Sequence, residues 1–456
     1  METLQNVAFA YTTPFICAIT AYPMQPILHI HAMLFAAYLI LGPLAWVDMF
    51  ASYLLAASRM NRLKRAMPLP DPLPTVTVLI PAKDEGREIA RCVQSVLAQD
   101  YEQFDVLAVD DRSTDDTGAV LDGLAAEIPE KTPAERGANG NESPLAPRFA
   151  GVPSPRSSQL RVIHIPVGGL PAGWLGKCHA LATAAATVTS DWLLFVDSDV
   201  QLQPRALSIA LSNAVDRKYD AVSVLTKLEC HTFWEKLVLP LAAATWAIMF
   251  TVSATNNDKR KASAAANGQF FLIRRSAYES VGGHSAVRDQ ITEDVELMRC
   301  LKSSGFRTRL LFGDHLATTR MHATLQQMLH GWGRIYSGTS RRRIGRIATV
   351  IVLLPIIGLS AYPMLFYGLL HPMWLPVAVA HLLVMSGFLV LTYGKAGQPR
   401  RYALLFPLGC AVLLALLCYA LRMCRSGRVV WRNTRYDSWQ PHCGPAISKS
   451  ASDRQP

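Results

Sequence analysis

Charge is missing from long stretches of this chain. Thr3–Val47 holds no Asp, Glu, Lys or Arg, and neither Ile347–Gly394 nor Tyr402–Leu421 holds one. With 50% hydrophobic and 17% charged residues over 456 positions, an ordinary soluble enzyme is excluded. A bilayer-crossing helix needs roughly 20 apolar residues, so membrane helices are expected toward both ends. Also missing is any Cys-x-x-Cys pair among the nine scattered cysteines. Reduced thiols are expected and a zinc site is not. The first residues contain Glu2 and no Lys or Arg. They lack the cationic start of a secretory signal, and no cleaved signal is expected. Finally, Gly173-Trp174-Leu175-Gly176-Lys177 is no phosphate-binding Walker loop. Pro171 replaces its first glycine, and Cys178 stands where Ser or Thr would meet Mg2+.

What is present is basic. The net charge is +11, and cations flank the apolar runs. Arg59, Arg62, Lys64 and Arg65 follow the first; Arg341, Arg342, Arg343 and Arg346 precede the next. Such flanks mark the cytoplasmic side. The intervening domain is therefore expected in the cytoplasm, at a bacterial inner membrane, with no nucleic-acid partner. The layout reads as a transmembrane region with its basic flank over 1–66, a soluble domain over 67–345, transmembrane helices over 346–422 and a basic, disordered tail over 423–456. Within the domain, 129–159 is rich in Pro, Gly, Ser, Asn and Arg without periodicity and reads as a disordered insertion. The uncharged stretch 237–257 reads as an interfacial or buried helix, because a crossing there would separate the domain's two halves. Three helices after residue 346 would put the tail outside, whereas Arg422, Arg425, Arg428, Arg432 and Arg435 argue for inside. The helix count stays open.

The soluble stretch alternates strand and helix. Thr75–Ile80 is β-branched or apolar throughout and reads as a buried parallel strand stopped by Pro81. Ile89, Val93, Val96 and Leu97 share a face of a helix over Glu85–Ala98. Phe104–Val109 is a second strand, and Ser113-Thr114-Asp115 can cap the helix after it. Further strands are read at Leu160–Ile165, Trp192–Val196, Tyr219–Leu228, Gly268–Ile273 and Arg307–Phe312, with helices at Leu175–Ala186 and Glu293–Ser303. This predicts an α/β, Rossmann-like fold with a mostly parallel sheet.

Candidate chemistry sits at the strand ends. Trp192–Val196 stops at Asp197-Ser198-Asp199, whose two carboxylates alternation sends to one side of an extended chain. One or two carboxylates plus substrate phosphates commonly hold Mg2+; the same pair can also simply open a loop. Asp110-Asp111 ends the second strand, where open α/β sheets bind ligands. Its acids can accept bonds from ribose or a base, or cap a helix. Pro81-Ala82-Lys83-Asp84-Glu85 can line the same crevice. Lys177 lies at a helix start that favours anions, aimed either at a phosphate or into solvent. Thr292-Glu293-Asp294 offers a general base or capping charge. His330-Gly331-Trp332-Gly333-Arg334 offers an aromatic plate and a permanent cation, or an interfacial anchor before a membrane helix.

In this order, over Pro74–Ser340, these segments resemble family 2 inverting glycosyltransferases of the GT-A fold. The resemblance is closest to membrane-bound, non-processive lipid glucosyltransferases of the hopanoid-associated, carotenoid and ceramide types. Leu170–Lys177, Phe233-Trp234-Glu235-Lys236, and Ala264–Gly268 ahead of Arg274-Arg275 look like the hopanoid-associated branch. The resemblance implies a UDP-sugar whose nucleoside is held by Asp84, Glu85 and Asp111 and whose diphosphate meets Lys177. It implies Mg2+ or Mn2+ on that diphosphate, held by Asp199 with Asp197. Asp294 would deprotonate the acceptor hydroxyl, and Trp332 and Arg334 are grouped with the donor-binding residues. The acceptor is expected to be a membrane lipid of hopanoid, carotenoid, sphingolipid or polyprenyl type, and the sugar glucose. One family pattern is missing. Processive synthases carry Gln-x-x-Arg-Trp after the acidic triplet, but here Trp332 precedes Arg334, and Gln326 and Gln327 come too early. Single-sugar transfer is expected over a processive polysaccharide synthase, or a non-catalytic transporter or scaffold.

Overall fold

The computed structural model describes residues 24–59, 62–127, 159–250, 252–261, 263–427, 429–431 and 434–436. The insertion expected at 129–159 lies outside these apart from Gln159, as does the tail beyond residue 436. By contacts the chain divides into two units, Met1–Leu54 with Val352–Leu391, and Leu55–Ile351 with Thr392–Pro456.

The second unit carries the sheet. Its strands are β1 (Val76–Ala82), β2 (Phe104–Asp111), β3 (Leu160–Ile165), β4 (Trp192–Phe195), β5 (Val200–Leu202), β6 (Ala221–Leu225), β7 (Lys227–Leu228), β8 (Phe271–Arg274), β9 (Thr308–Phe312) and β10 (Ala317–Thr319). Seven form one sheet in the order β3-β2-β1-β4-β8-β6-β9. Its pairings are parallel except at β8, which is antiparallel to β4 and β6. The mostly parallel α/β core expected from sequence is the one found. Val76, Val78 and Ile80 pack on one face with Ile89, Val93 and Val96. Leu79 and Leu107 pack on the other with Leu181, Leu297 and Leu301. Burial on both faces is why these strands read as continuous apolar runs.

Three expectations needed correction. Pro81 does not stop β1: it pairs with Val109, because proline's fixed φ suits a strand and removes one ladder donor only. The helix expected from Glu85 begins at Ile89. The Glu85 carbonyl instead accepts the N–H groups of Glu88 and Ile89, leaving Glu85 at the strand end. Tyr219–Leu228 splits into β6 and β7 at Thr226, whose hydroxyl donates to Gln269. The small sheet β5-β10-β7 had no sequence signal, since runs of two or three residues show no period.

Sheet order positions the site. The chain leaves β1 for β2 and β3, then returns to place β4 on the other edge of β1. Such a reversal opens a crevice at the strands' carboxyl ends, where α/β sheets bind ligands. The Val196 N–H donates to the Leu79 carbonyl, so Asp197–Asp199 emerge beside Lys83–Glu85.

Three described helices are long and apolar enough to cross a membrane: His29–Leu55, Leu375–Lys395 and Arg400–Ser426. Ile344–Leu359 and Ala361–Leu370, bent by 41°, would make a fourth crossing if they act as one. Within the first unit, Trp46 Nε1 donates to the Ile357 carbonyl at 2.8 Å. The 237–257 stretch divides between the helix Phe233–Met249, capped by a Thr232–Glu235 box and buried over Leu237–Ala242, and the short helix Val252–Thr255. The last helix, Phe406–Ser426, packs on the former at Gly409, where a Cβ would meet the Leu241 and Leu237 side chains. In the stretch read as disordered tail, that helix runs to Ser426. Val429–Trp431 (β11) then pairs antiparallel with Thr434–Tyr436 (β12).

One turn behind β4 tests the packing. Gly283 has φ +52°, and a Cβ there would lie 2.4 Å from the Tyr278 ring. Tyr278 in turn packs on Phe195 and bonds to His284 at 2.9 Å. Gly283→Ala is expected to cost about 2–4 kcal/mol, combining backbone strain with overpacking. Gly305→Ala, also at positive φ but with nothing within 4 Å, is expected to cost about 1–2 kcal/mol. Thermal unfolding in detergent reads both; equal losses would mean the Tyr278 contact carries no weight.

Candidate active site

Lys177 lies at the start of the helix Gly176–Ala185. Its Nζ is 2.6 Å from Asp197 Oδ1 and 2.6 Å from Glu293 Oε1. Three motifs distant in sequence therefore meet at one ammonium. The Lys177 side chain is 16% exposed and that of Glu293 9%, so water screens these pairs poorly. Burial alone would depress the Lys177 ammonium. Asp197, Glu293 and Asp294 outweigh it and hold the group well above its ordinary value. These neighbouring acids therefore favour the charged ammonium.

Asp294 stands beside this pair. Its Oδ2 accepts the Gly268 N–H at 2.7 Å and its Oδ1 the Val295 N–H at 2.8 Å. A Cβ on Gly268 would lie 3.3 Å from both Asp294 Oδ2 and Lys177 Nζ. Burial, reinforced by the Glu293 charge, pushes the Asp294 carboxyl up to about 7 despite Lys177. Gly268 is itself held by its neighbour. The Asn267 N–H donates to Ser223 Oγ at 2.7 Å, and Asn267 Nδ2 donates to the Val224 carbonyl at 3.0 Å.

The Asp197–Asp199 turn is fixed from the β1 side. Ser198 Oγ donates to Glu85 Oε1 at 3.1 Å, and the Cys92 thiol donates to the Asp197 carbonyl at 3.4 Å. Burial pushes the Cys92 thiol up, and the charges of Asp199, Asp197 and Glu85 push it further. Three carboxylates thus concentrate negative potential at one spot.

Asp84 and Asp111 lie in the adjoining turns. Asp84 has φ +53°, and its Oδ1 accepts the Thr114 N–H at 2.8 Å and hydroxyl at 3.2 Å. Burial would raise this carboxyl, but Thr114 and the nearby Lys83 hold it below the ordinary range. Asp111 pairs with the next residue, Arg112, through Nε at 2.7 Å and Nη2 at 2.9 Å. A Cβ on Gly176 would lie 2.3 Å from Arg112 Nη2 and 2.4 Å from Asp111 Oδ2. The glycine before Lys177 is what lets the two turns close together.

Trp332 and Arg334 lie on the helix Leu325–Thr339. That helix touches the Thr292–Asp294 segment, since a Cβ on Gly338 would lie 2.7 Å from Thr292. Arg341, just beyond it, bonds Glu296 at 3.1 and 2.9 Å. Trp332 is buried against Tyr336, and its Nε1 has no hydrogen-bond partner among the described residues. The structure therefore gathers Lys177, Asp197, Asp199, Glu85 and Asp294, sets Asp84 and Asp111 beside them, and puts Trp332 and Arg334 on a separate helix. Sequence reasoning missed Glu293 as the Lys177 counterion, and also Arg112, Cys92, Ser198 and Asn267. Each acts by facing a neighbour, which only folding decides.

Two family models match the chain. One, described as "Glycosyl transferase family 2", covers residues 77–140, and one described as "Glycosyltransferase like family 2" covers residues 153–330. Relatives include two 4,4'-diaponeurosporenoate glycosyltransferases. That of Staphylococcus haemolyticus is 23% identical over 261 residues, 57% of this chain and 60% of its own length. That of Staphylococcus aureus is 23% identical over 281 residues, 61% of this chain and 65% of its own. The chain thus matches less than two thirds of the length of these relatives. Among solved structures, a mannosyltransferase from Pyrobaculum calidifontis in complex with GDP-Man and Mn2+ aligns with a TM-score of 0.45 at 20% identity, over 85% of this chain and 99% of that one.

Gly176→Ala is expected to displace the Asp111–Arg112 pair and, if this turn holds a donor nucleotide, to weaken UDP binding about tenfold or more, the scale of a broken buried charge pair. Gly123→Ala, where a Cβ meets nothing within 4 Å, should leave it unchanged. Calorimetric titration with UDP decides, and equal affinities would remove this turn from the binding site.

Proposed function

The chain belongs to glycosyltransferase family 2, and on that premise we propose that it moves a single sugar, glucose by preference, from a UDP-sugar to a hydroxyl of a membrane lipid, with inversion at the anomeric carbon. The observation that carries this reading is Lys177 held between Asp197 and Glu293, with Asp294 beside it. One cluster supplies a fixed cation for the departing diphosphate and a carboxylate base for the incoming hydroxyl.

The leaving UDP gains negative charge as the sugar–phosphate bond breaks, and a preorganised cation stabilises charge where it develops. Lys177 fills that role without depending on pH. Asp294, raised to about 7, is a stronger base than an ordinary carboxylate and can take the hydroxyl proton as the oxygen attacks. Asp84, Glu85 and Asp111 form the strand-end turns assigned to the nucleoside. Trp332 and Arg334 complete the proposed donor set from the helix that abuts Thr292.

Asp197 and Asp199 fit a divalent metal. Both are hard oxygen donors at a strand end, with Glu85 close by. No group of three or more His, Cys, Asp or Glu able to hold a metal ion occurs among the described residues. An ion here would take its remaining ligands from substrate phosphates, as Mg2+ commonly does. When bound, Mg2+ or Mn2+ would offset the diphosphate charge.

A lipid acceptor agrees with the apolar helices and with the carotenoid acceptor named for the relatives. The Arg and Lys flanks favour a cytoplasmic catalytic domain.

Asp294→Asn is expected to keep donor affinity and lose about 10²–10⁴-fold in transfer, the usual contribution of a general base. Because the raised carboxyl is basic only when ionised, wild-type kcat/KM should fall as pH drops through about 7. Lipid extracts of cells carrying the wild type should contain a species heavier by one hexose, absent with the Asn variant. A flat acid limb in the pH profile would remove Asp294 from the base role. Identical extracts would sink the proposed reaction.

A further inference from the structure

A short loop follows the helix Val252–Thr255. Its cations Lys259, Arg260 and Lys261 are all exposed, and no ion pair engages them among the described residues. The loop's one acid is already neutralised. The Asp258 carboxylate receives both Arg309 Nη1, at 2.5 Å, and Nη2, at 2.9 Å. The loop is also pinned in place. Asn256 Nδ2 donates to the Leu310 carbonyl at 2.8 Å, and the Leu310 N–H donates back to Asn256 Oδ1 at 2.8 Å. The buried Lys302 donates to the Ser263 carbonyl at 2.7 Å and also to the Thr255 carbonyl. One ammonium therefore clasps both ends of the loop.

The patch lies beside the start of an apolar helix. Phe250, which precedes the helix Val252–Thr255 that leads into the loop, has Arg346 Cζ 5.7 Å from its ring centroid. Trp246 Nε1 donates to Thr339 Oγ1 at 3.3 Å. The end of the helix Phe233–Met249, a few residues before the loop, thus meets the beginning of Ile344–Leu359, the first half of the bent apolar pair, where Arg343 is also exposed. Lys302 sits eight residues along from Asp294 on the helix Glu293–Ser303, roughly 12 Å at helical rise. The patch is therefore separate from the donor cluster, yet clasped by the same helix.

We propose that Lys259, Arg260 and Lys261 dock on anionic phospholipid headgroups of the leaflet facing the catalytic domain, and that Lys302 couples this contact to the helix carrying Asp294. The proposal rests on the membrane reading of the apolar helices and not on the identity of donor or acceptor. Each Lys or Arg near an anionic bilayer strengthens attachment about fivefold. The loop contains no aromatic residue, the platform on which single-stranded nucleic acid stacks, so a lipid surface fits better than RNA.

The test uses the full chain in nanodiscs of phosphatidylcholine alone or with phosphatidylglycerol. It compares wild type with a triple variant, Lys259→Gln, Arg260→Gln and Lys261→Gln. Hydrogen exchange at residues 257–261 and sugar transfer are both read. In wild type, phosphatidylglycerol should slow exchange and raise transfer several-fold, and high salt should abolish both effects. The triple variant should exchange and turn over alike in both discs, matching wild type in phosphatidylcholine. Lys302→Met should keep the lipid-dependent protection and lose the gain in transfer; a retained gain overturns the coupling. Protection that persists in the triple variant, or none in wild type, overturns the patch. So does protection in phosphatidylcholine discs produced by inorganic phosphate or by RNA. A normal exchange response with no transfer from any nucleotide-sugar supports the patch while overturning the proposed reaction.

Discussion

The site depends on one buried cation. Asp197, Glu293 and Asp294 repel one another, and Asp199 and Glu85 add to the negative potential nearby. Lys177 allows these acids to coexist on three separate segments. Removing it would leave several carboxylates facing each other out of water, which in buried pairs costs about 3–5 kcal/mol. In the proposed reaction the same ammonium would meet the diphosphate. Its structural and chemical roles are thus one balance of charge. The acids that hold Lys177 before donor binding are those that would hold a metal or take a proton afterwards.

Close packing around that cation is achieved by leaving out side chains. Gly176 lets the Asp111–Arg112 pair approach the lysine turn, and Gly268 lets its backbone N–H reach Asp294. Gly338 lets the Leu325–Thr339 helix lie against Thr292. Each glycine stands where two motifs distant in sequence converge. Asn267 fixes one of these approaches from β6, so Asp294 is oriented by the sheet and not by a free loop.

The sheet was legible because strands buried on both faces are written as unbroken apolar runs, and the acids at their ends mark the carboxyl edge. What could not be read was which way neighbouring side chains face. Glu293 and Asp294 are adjacent in sequence, yet Glu293 pairs with Lys177 while Asp294 bonds Gly268. That the Asp84 carboxylate accepts from the Thr114 backbone was likewise not legible in the sequence. Lys259-Arg260-Lys261 carries no sequence signal of its own; it is a distinct patch in the fold because Arg309 neutralises Asp258. Period and composition locate elements; partner choice comes from tertiary contacts that no local pattern encodes.

The arginines before the bent apolar pair show the same distinction. In sequence, Arg341, Arg342, Arg343 and Arg346 mark a membrane side. In the fold, Arg341 bonds Glu296 on the helix Glu293–Ser303, and Arg342 donates to the Cys424 carbonyl of the last helix at 3.1 and 2.9 Å. Arg346 covers Phe250. Charges that would set topology during insertion therefore also bond the folded domain, tying the helix of Asp294 to an apolar helix through a few residues of one turn. A charge at that flank cannot be changed for its topological role alone. Exchanging Arg341 for lysine would keep the sign but lose the two-pronged bond to Glu296. Position and charge read as a membrane flank, whereas guanidinium geometry ties the segment to the helix that carries Asp294.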